Sequence, residues 1–370
     1  MPSTTDPILA AVFRRTLDLY LPAGATLDPT PGTHLNAWDW GPGITLYALQ
    51  KSFPFVDAAL QQSYFDFFRR WFGEFLDKAP PTPAINSAIL LNVLWLAVHD
   101  PALPLSGEER AFYKNYCLER VAFYRQHALK LPSGVFAHTV ATGSPASKSQ
   151  VWADNLFMLV LLLAQVAVTE NDRLLFAEMT GQLEMHYQCL SDPETGLLYH
   201  GWQALPDNPA GKGDHMNGAL WGRGNGWAAL GAATLLELAH TPAFGNFKKR
   251  IERASLLHFE ALRVHQRPDG FWSTLIDRPA SYPETSATAA ISAAFLKGVK
   301  LGWLSSDFEK AGQSGLAAVR SVTGPGGEVA GVSGSTPLLD HLDDYEKVPH
   351  DRTFSWGQGL GLLALLESRQ

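Results

Sequence analysis

Cysteine is nearly absent from this chain of 370 residues: only Cys117 and Cys189 occur, with no CxxC and no spacing that suggests a metal site. That excludes a disulfide framework as the determinant of the fold, and both thiols read as reduced core or surface residues. Charge is also sparse, at 18% against the quarter usual in soluble proteins. The balance is acidic, with a formal net charge of -7. Such a surface does not attract nucleic acid or an anionic membrane, so neither is expected as a partner. No run of about 18 uninterrupted apolar residues appears, and the opening MPSTTDPILAAVFRRTLDLY lacks a basic start followed by a long apolar stretch. The expected setting is cytoplasmic.

What the chain does have is apolar material, 46% of its residues, enough for a large core. Eleven tryptophans stand among its 11% aromatic residues. Aromatic faces stack on sugar rings, because both present flat apolar surface with polar edges.

No low-complexity segment or charge run divides the sequence, and Pro and Gly are spread evenly, so one domain over 1–370 is expected. Six segments open with polar, Gly or Trp residues and continue as small and aliphatic runs. They are WDWGPGITLYAL from Trp38, INSAILLNVLWLAV from Ile85, WADNLFMLVLLLAQ from Trp152, GRGNGWAALGAATLLELA from Gly222, ETSATAAISAAFLKGV from Glu284 and SWGQGLGLLALLE from Ser355. Each is apolar nearly all round, the signature of a helix buried on both sides. Amphipathic stretches lie between them: Pro7 to Tyr20, Val56 to Asp77, Gly107 to Leu129, Asp172 to Leu190, Phe244 to Gln266 and Ser306 to Val322. Six outer and inner pairs read as an all-α (α/α)6 barrel, favoured over an open solenoid because neither end carries a polar capping repeat. In a closed ring the polar starts of the inner helices gather at one mouth.

Asp154, in VWADNLFM, opens the third inner segment, where a helix N-terminus favours a carboxylate. His200 in LLYHGW, Arg223, Asn225 and Trp227 in WGRGNGW, and Trp356 and Gln358 in SWGQG fall at equivalent ends. Two glycines in the first turn of WGRGNGW weaken a helix by about 1 kcal/mol each, justified only where backbone or ligand comes close. Arg223 reads as a carboxylate clamp, since its planar fork matches a uronate in two parallel hydrogen bonds. His200 is a candidate to bind a sugar ring or hold water, and His138 in GVFAHT precedes the Asp154 segment. Asp269 in RPDGFW reads as turn chemistry.

Taken together, WDWGPG, VWADNLFM, YHGW, WGRGNGW, SYPETSATA and SWGQGLGLLAL resemble glycoside hydrolase family 105, the unsaturated rhamnogalacturonyl hydrolases, from about Trp38 to Glu367. The GRGNGW form points to that family rather than to its neighbour, family 88, the unsaturated glucuronyl hydrolases. The resemblance implies an (α/α)6 barrel acting on oligosaccharides whose non-reducing uronic acid carries a C4=C5 double bond left by a polysaccharide lyase. It implies Asp154 as general acid and base and His200 and Arg223 as substrate-binding residues. Trp152 and Trp227 would line the pocket, and Trp40, Trp356, His138 and Asn86 are further candidates for substrate binding. One departure stands out: relatives place a second acidic residue where this chain has Asn86 and Ser87.

An ordinary glycosidase needs two carboxylates, and this sequence offers one convincing candidate. An enol ether needs only one. Protonation at C4 creates an oxocarbenium centre at C5 that water attacks, and the hemiketal then opens. No metal or organic cofactor is required by that chemistry, and the expected partner is an oligosaccharide. The alternatives are a conventional inverting glycosidase pairing Asp154 with Asp39 or Glu284, and a non-catalytic glycan-binding protein. The leaving sugar is expected to be selected by the loops Thr142 to Ser149, Gln203 to Asn217 and Pro337 to Asp351.

Overall fold

The structure, a computed structural model, describes residues 6–76, 84–205 and 213–369. Asp77 and positions 206–212 of the expected specificity loop lie outside the described residues.

Six helices bury nearly every residue: α2 (Trp40–Ser52), α4 (Ile89–His99), α6 (Leu161–Thr169), α8 (Gly222–Leu238), α10 (Thr285–Lys300) and α12 (Ser355–Glu367). With small and aliphatic side chains on all sides, such a helix is stable only when covered all round. The cover comes from α1 (Pro7–Leu17), α3 (Ala58–Leu76), α5 (Gly107–His127), α7 (Arg173–Leu190), α9 (Lys248–Val264) and α11 (Ser306–Ser321). These bury one stripe each. In α1 it is Leu9, Val12, Phe13 and Thr16, the three- and four-residue spacing of a helix face.

The expected (α/α)6 barrel is present. Inner helices pack in chain order, and α12 packs on α2, so the ring closes rather than running on as a solenoid. The outer layer closes too, since Arg320 at the end of α11 pairs with Asp6, the N-cap of α1, at 2.8 Å. Two glycines of WGRGNGW serve this packing. A Cβ on Gly222 would stand 2.5 Å from the Ser273 carbonyl oxygen, and one on Gly226 2.9 Å from the Ala290 side chain. Those glycines therefore admit neighbouring protein, on the 273–274 segment and on α10.

Five short strands, not anticipated from the sequence, decorate the ring. β1 (Ala128–Lys130) pairs with β2 (Phe136–Val140), and β3 (Gln150–Trp152), β4 (Gly201–Ala204) and β5 (Gly213–Asp214) form a second antiparallel sheet. The third inner helix is correspondingly shorter than expected. Trp152 belongs to β3, Asp154 lies in the turn after it, and a π-helical turn, Leu156–Val160, leads into α6. Such turns occur mostly as single insertions and often at functional sites.

Among the described residues no helix is long and apolar enough to cross a membrane. At the C-terminal ends of the inner helices a cavity of about 1460 Å³ opens, lined by Lys51, His99, Asp100, Glu237, Lys300 and Glu367 among others. It lies at the end of the ring opposite the residues described next.

Candidate active site

Strand pairing builds the site. In the β3–β4 ladder Trp152 stands opposite Gly201, so Asp154, two residues after the first, and His200, one before the second, emerge together. The Ala153 amide donates to the His200 carbonyl at 3.2 Å and closes the junction. The result places Asp154 Oδ2 3.9 Å from His200 Nε2. Both atoms are buried and have no hydrogen-bond partner among the described residues.

Their electrostatics follow from burial. Loss of water pushes the Asp154 carboxyl up to about 6, although its own backbone amide and the Arg223 charge pull it down. His200 moves the other way: burial, with His138 and Arg223 nearby, lowers it well below the ordinary histidine range and keeps it neutral. A carboxyl near pKa 6 can both deliver and accept a proton close to neutral pH.

Around this pair stand aromatic rings. His200 lies 4.2 Å from Trp221 and 5.3 Å edge-on from Trp152, whose own indole N–H donates to Gln150 at 3.0 Å. Trp152 stacks on His138, with centroids 4.1 Å apart and planes 4° from parallel. His138 is fixed in turn: its Nδ1–H donates to Asn155 Oδ1 at 2.6 Å. The amide of Asn155 can only accept there, because its nitrogen donates to the Phe136 carbonyl and to His186.

The other residues expected at the mouth fall into two layers. Trp40 is half-buried and stacks on Trp356 at 4.5 Å. Trp227, expected to line the pocket, and Trp356, a candidate for substrate binding, are instead buried beneath it. Trp356 packs on Phe354 and donates its indole N–H to Ser333, and Trp227 stacks on Phe157. Their rings are the floor under Trp40, which stacks on Trp356 and meets Trp227 edge-on at 6.5 Å.

Arg223 also departs from expectation. It is fully buried, and its terminal nitrogens donate to Ser333 Oγ at 2.6 Å, the Ser333 carbonyl at 2.9 Å, the Gly334 carbonyl at 2.8 Å and Thr336 Oγ1 at 3.1 Å. The fork anticipated as a free carboxylate clamp holds the 333–336 wall; only Nε lacks a partner among the described residues. Asn225 and Gln358 are likewise structural ties, to the Leu198 backbone and to Gly327 and Val329. Glu284, a candidate second carboxylate, caps α10 and accepts the Ser286, Ala287 and Ser333 amides. Asp39, the other candidate, is exposed and caps α2. Asn86 lies half-buried in a 3-10 turn, Asn86–Ala88, that packs on Leu156–Val160, with its Oδ1 unpartnered among the described residues.

Three participants have no counterpart in the expected set. Tyr345 comes from a 3-10 turn, Leu342–Lys347, inside the expected 337–351 loop, and its hydroxyl meets His200 Nδ1 at 2.6 Å. Asn217 holds Tyr345, and Trp221 walls His200. Trp221 is the first letter of WGRGNGW, and Asn217 and Tyr345 fall within two of the expected loops without being singled out there.

With that geometry in view, comparison with known proteins is decisive. The model of Glycosyl Hydrolase Family 88 matches residues 26–370. The chain belongs to that family. As a family 88 glycoside hydrolase it is similar to the unsaturated rhamnogalacturonyl hydrolase YesR of Bacillus subtilis, at 31% identity over 90% of this chain and 89% of the relative. Its fold is shared by a protein of Salmonella enterica described as a possible member of family 105, with a TM-score of 0.81 at 24% identity, covering 98% of this chain and 92% of that one. It is shared also by the unsaturated glucuronyl hydrolase of Bacillus sp. GL1, with a TM-score of 0.69 at 17% identity over 99% and 95%. The resemblance to unsaturated uronyl hydrolases expected from the motifs holds in the family 88 match and in the rhamnogalacturonyl hydrolase relative.

Proposed function

We propose that this family 88 hydrolase removes a 4,5-unsaturated uronic acid from the non-reducing end of lyase-generated oligosaccharides of the rhamnogalacturonan or pectin type, with Asp154 as the proton-transferring group. One observation carries the reading: a buried carboxyl oxygen, pushed up to about 6 and unpartnered among the described residues, faces an equally unpartnered imidazole nitrogen 3.9 Å away. Buried polar groups without partners are rare and call for a ligand. The name of the Bacillus subtilis relative supplies the substrate class.

In this mechanism protonated Asp154 delivers its proton to C4 of the enol ether, and positive charge develops at C5 and the ring oxygen. Water attacks C5 and gives a proton back to Asp154. The resulting hemiketal opens and releases the partner sugar. A single carboxyl suffices, which agrees with Glu284 being held by three backbone amides. Trp152 with His138 behind it, and Trp40 above Trp356, offer the apolar faces for sugar rings. Arg223 contributes through its charge and through the wall it builds. Closure of α12 on α2 supports one catalytic barrel over the whole chain.

The test is a screen of lyase-generated disaccharides from rhamnogalacturonan, pectin, ulvan and glycosaminoglycans, following loss of the ultraviolet absorbance of the conjugated uronate. Loss of absorbance, fastest on the rhamnogalacturonan product, is expected. Cleavage of saturated glycosides with no loss from any unsaturated one would replace this reading by conventional hydrolysis.

A further inference from the structure

We infer that Tyr345, held by Asn217, fixes the tautomer of His200 so that Nε2 carries the hydrogen and faces Asp154. The tautomer follows from hydrogen bonds alone. Its catalytic consequence rests on the function proposed above.

The argument begins at a side chain whose orientation is fixed by backbone on both sides. Asn217 Oδ1 accepts the Ala219 amide at 2.9 Å, and Asn217 Nδ2 donates to the Leu339 carbonyl. The amide cannot be turned over without losing both. Its nitrogen therefore also donates to the Tyr345 hydroxyl, at 3.2 Å. Tyr345 is fully buried, and a phenol has one hydrogen to give. That hydrogen goes to His200 Nδ1, 2.6 Å away. Were Nδ1 to donate instead, the phenol hydrogen would be left buried without an acceptor among the described residues. With Nδ1 a lone pair, a neutral His200 carries its hydrogen on Nε2. Backbone bonds from His200 to Ala219 and Ala153 hold the ring at this station.

The consequence lies across the 3.9 Å gap. An oxygen about 2.8 Å from each side accepts from His200 Nε2 and donates to Asp154 Oδ2. Water or a sugar hydroxyl satisfies that pattern. The opposite tautomer would set a lone pair against the carboxylate, which a water with two hydrogens still bridges but a sugar hydroxyl with one cannot. Tyr345 and Asn217 are thus positioning residues, two and three links from the substrate, and the loop that carries Tyr345 is coupled to the proton-transferring group.

The experiment labels the histidines with ¹⁵N and reads the His200 tautomer from long-range ¹H–¹⁵N correlations, assigned by loss of the signal in His200→Gln. The full chain is expected to show a protonated Nε2 and a pyridine-like Nδ1. Tyr345→Phe keeps the ring and removes the hydroxyl, so the signals should move to the other tautomer or to exchange between the two. In the same variant kcat on the unsaturated disaccharide should fall by about 10- to 100-fold, with KM within a few-fold. A wild-type His200 protonated at Nδ1 would overturn the inference whether or not the variant folds. So would unchanged tautomer signals in Tyr345→Phe, even with lost activity. A correct tautomer in a chain inert toward unsaturated uronides would leave the inference standing and sink the proposed function.

Discussion

Asp154 Oδ2 and His200 Nε2 face each other across 3.9 Å, and each is buried without another partner among the described residues. In the proposed mechanism proton transfer draws on Asp154 alone. Asp154→Asn keeps the shape and removes the acid, so turnover of an unsaturated uronide should fall by 10²- to 10⁴-fold, while binding, measured by calorimetry with the same disaccharide, stays within a few-fold. Retained turnover would show that another group delivers the proton.

The same carboxyl sets the pH profile. In the proposed mechanism it acts as an acid, and it titrates near 6, so kcat/KM should be level below that pH and fall about tenfold per unit above it. His200 is held well below the ordinary histidine range, stays neutral, and adds no acid limb between pH 5 and 8. Rates at low substrate concentration over that range check both limbs; a bell centred near 6.5 would mean that His200 titrates with the reaction.

In Asp154→Asn stability should move oppositely to activity. Raising Asp154 from 3.8 to about 6 corresponds to about 3 kcal/mol in favour of the protonated form. Because the folded value lies above the unfolded one, that advantage is complete below pH 4 and is lost as pH rises to 6. Asp154→Asn should therefore match the wild type at pH 4 and exceed it by about 1–3 kcal/mol at pH 7 to 8. Denaturant midpoints for the two proteins at pH 4, 5, 6 and 8 give the comparison.

The ring of helices was legible because buried-all-round segments such as ETSATAAISAAF have no other stable setting, and Asp154 could be set at the mouth because it stands at the start of one of them, whereas His200 lies outside all six. Short strands were not legible. β3 and β4 span three and four residues, too few for a period-two pattern to show, yet their pairing is what brings Asp154 to His200. Tyr345 was hidden for a different reason: it is 145 residues from His200 in sequence, in a turn with no repeating pattern. The depth of Trp227, Trp356 and Arg223 was not legible either. Motif position told which end of the barrel they occupy, and only packing told that Trp227, Trp356 and the Arg223 fork lie beneath the surface.

That depth makes Arg223 separable from an ordinary binding arginine. Its terminal nitrogens make four hydrogen bonds of 3.1 Å or less to Ser333, Gly334 and Thr336, a planar pattern that a lysine ammonium cannot reproduce. Arg223→Lys should lower stability by about 2–4 kcal/mol and raise hydrogen exchange in residues 333–336 without substrate present. An exposed clamp would change neither.

The aromatic floor gives the last test. Gly32 sits at φ +82°, and a Cβ there would stand 2.0 Å from the Trp356 ring. Both the left-handed backbone and the overlap resist a side chain. Trp356 cannot retreat, since its other face meets Phe354 and its indole N–H is fixed to Ser333. The ring must tilt toward Trp40, 4.5 Å away, and displace the half-buried ring above it. Gly32→Ala should destabilise the protein by about 1–3 kcal/mol and shift tryptophan fluorescence. It should raise KM for the unsaturated disaccharide more than it lowers kcat, because Asp154 and His200 are held by the ends of β3 and β4 rather than by the Trp40 and Trp356 stack. A fall in kcat alone would mean that the stack reaches the chemistry rather than the sugar face.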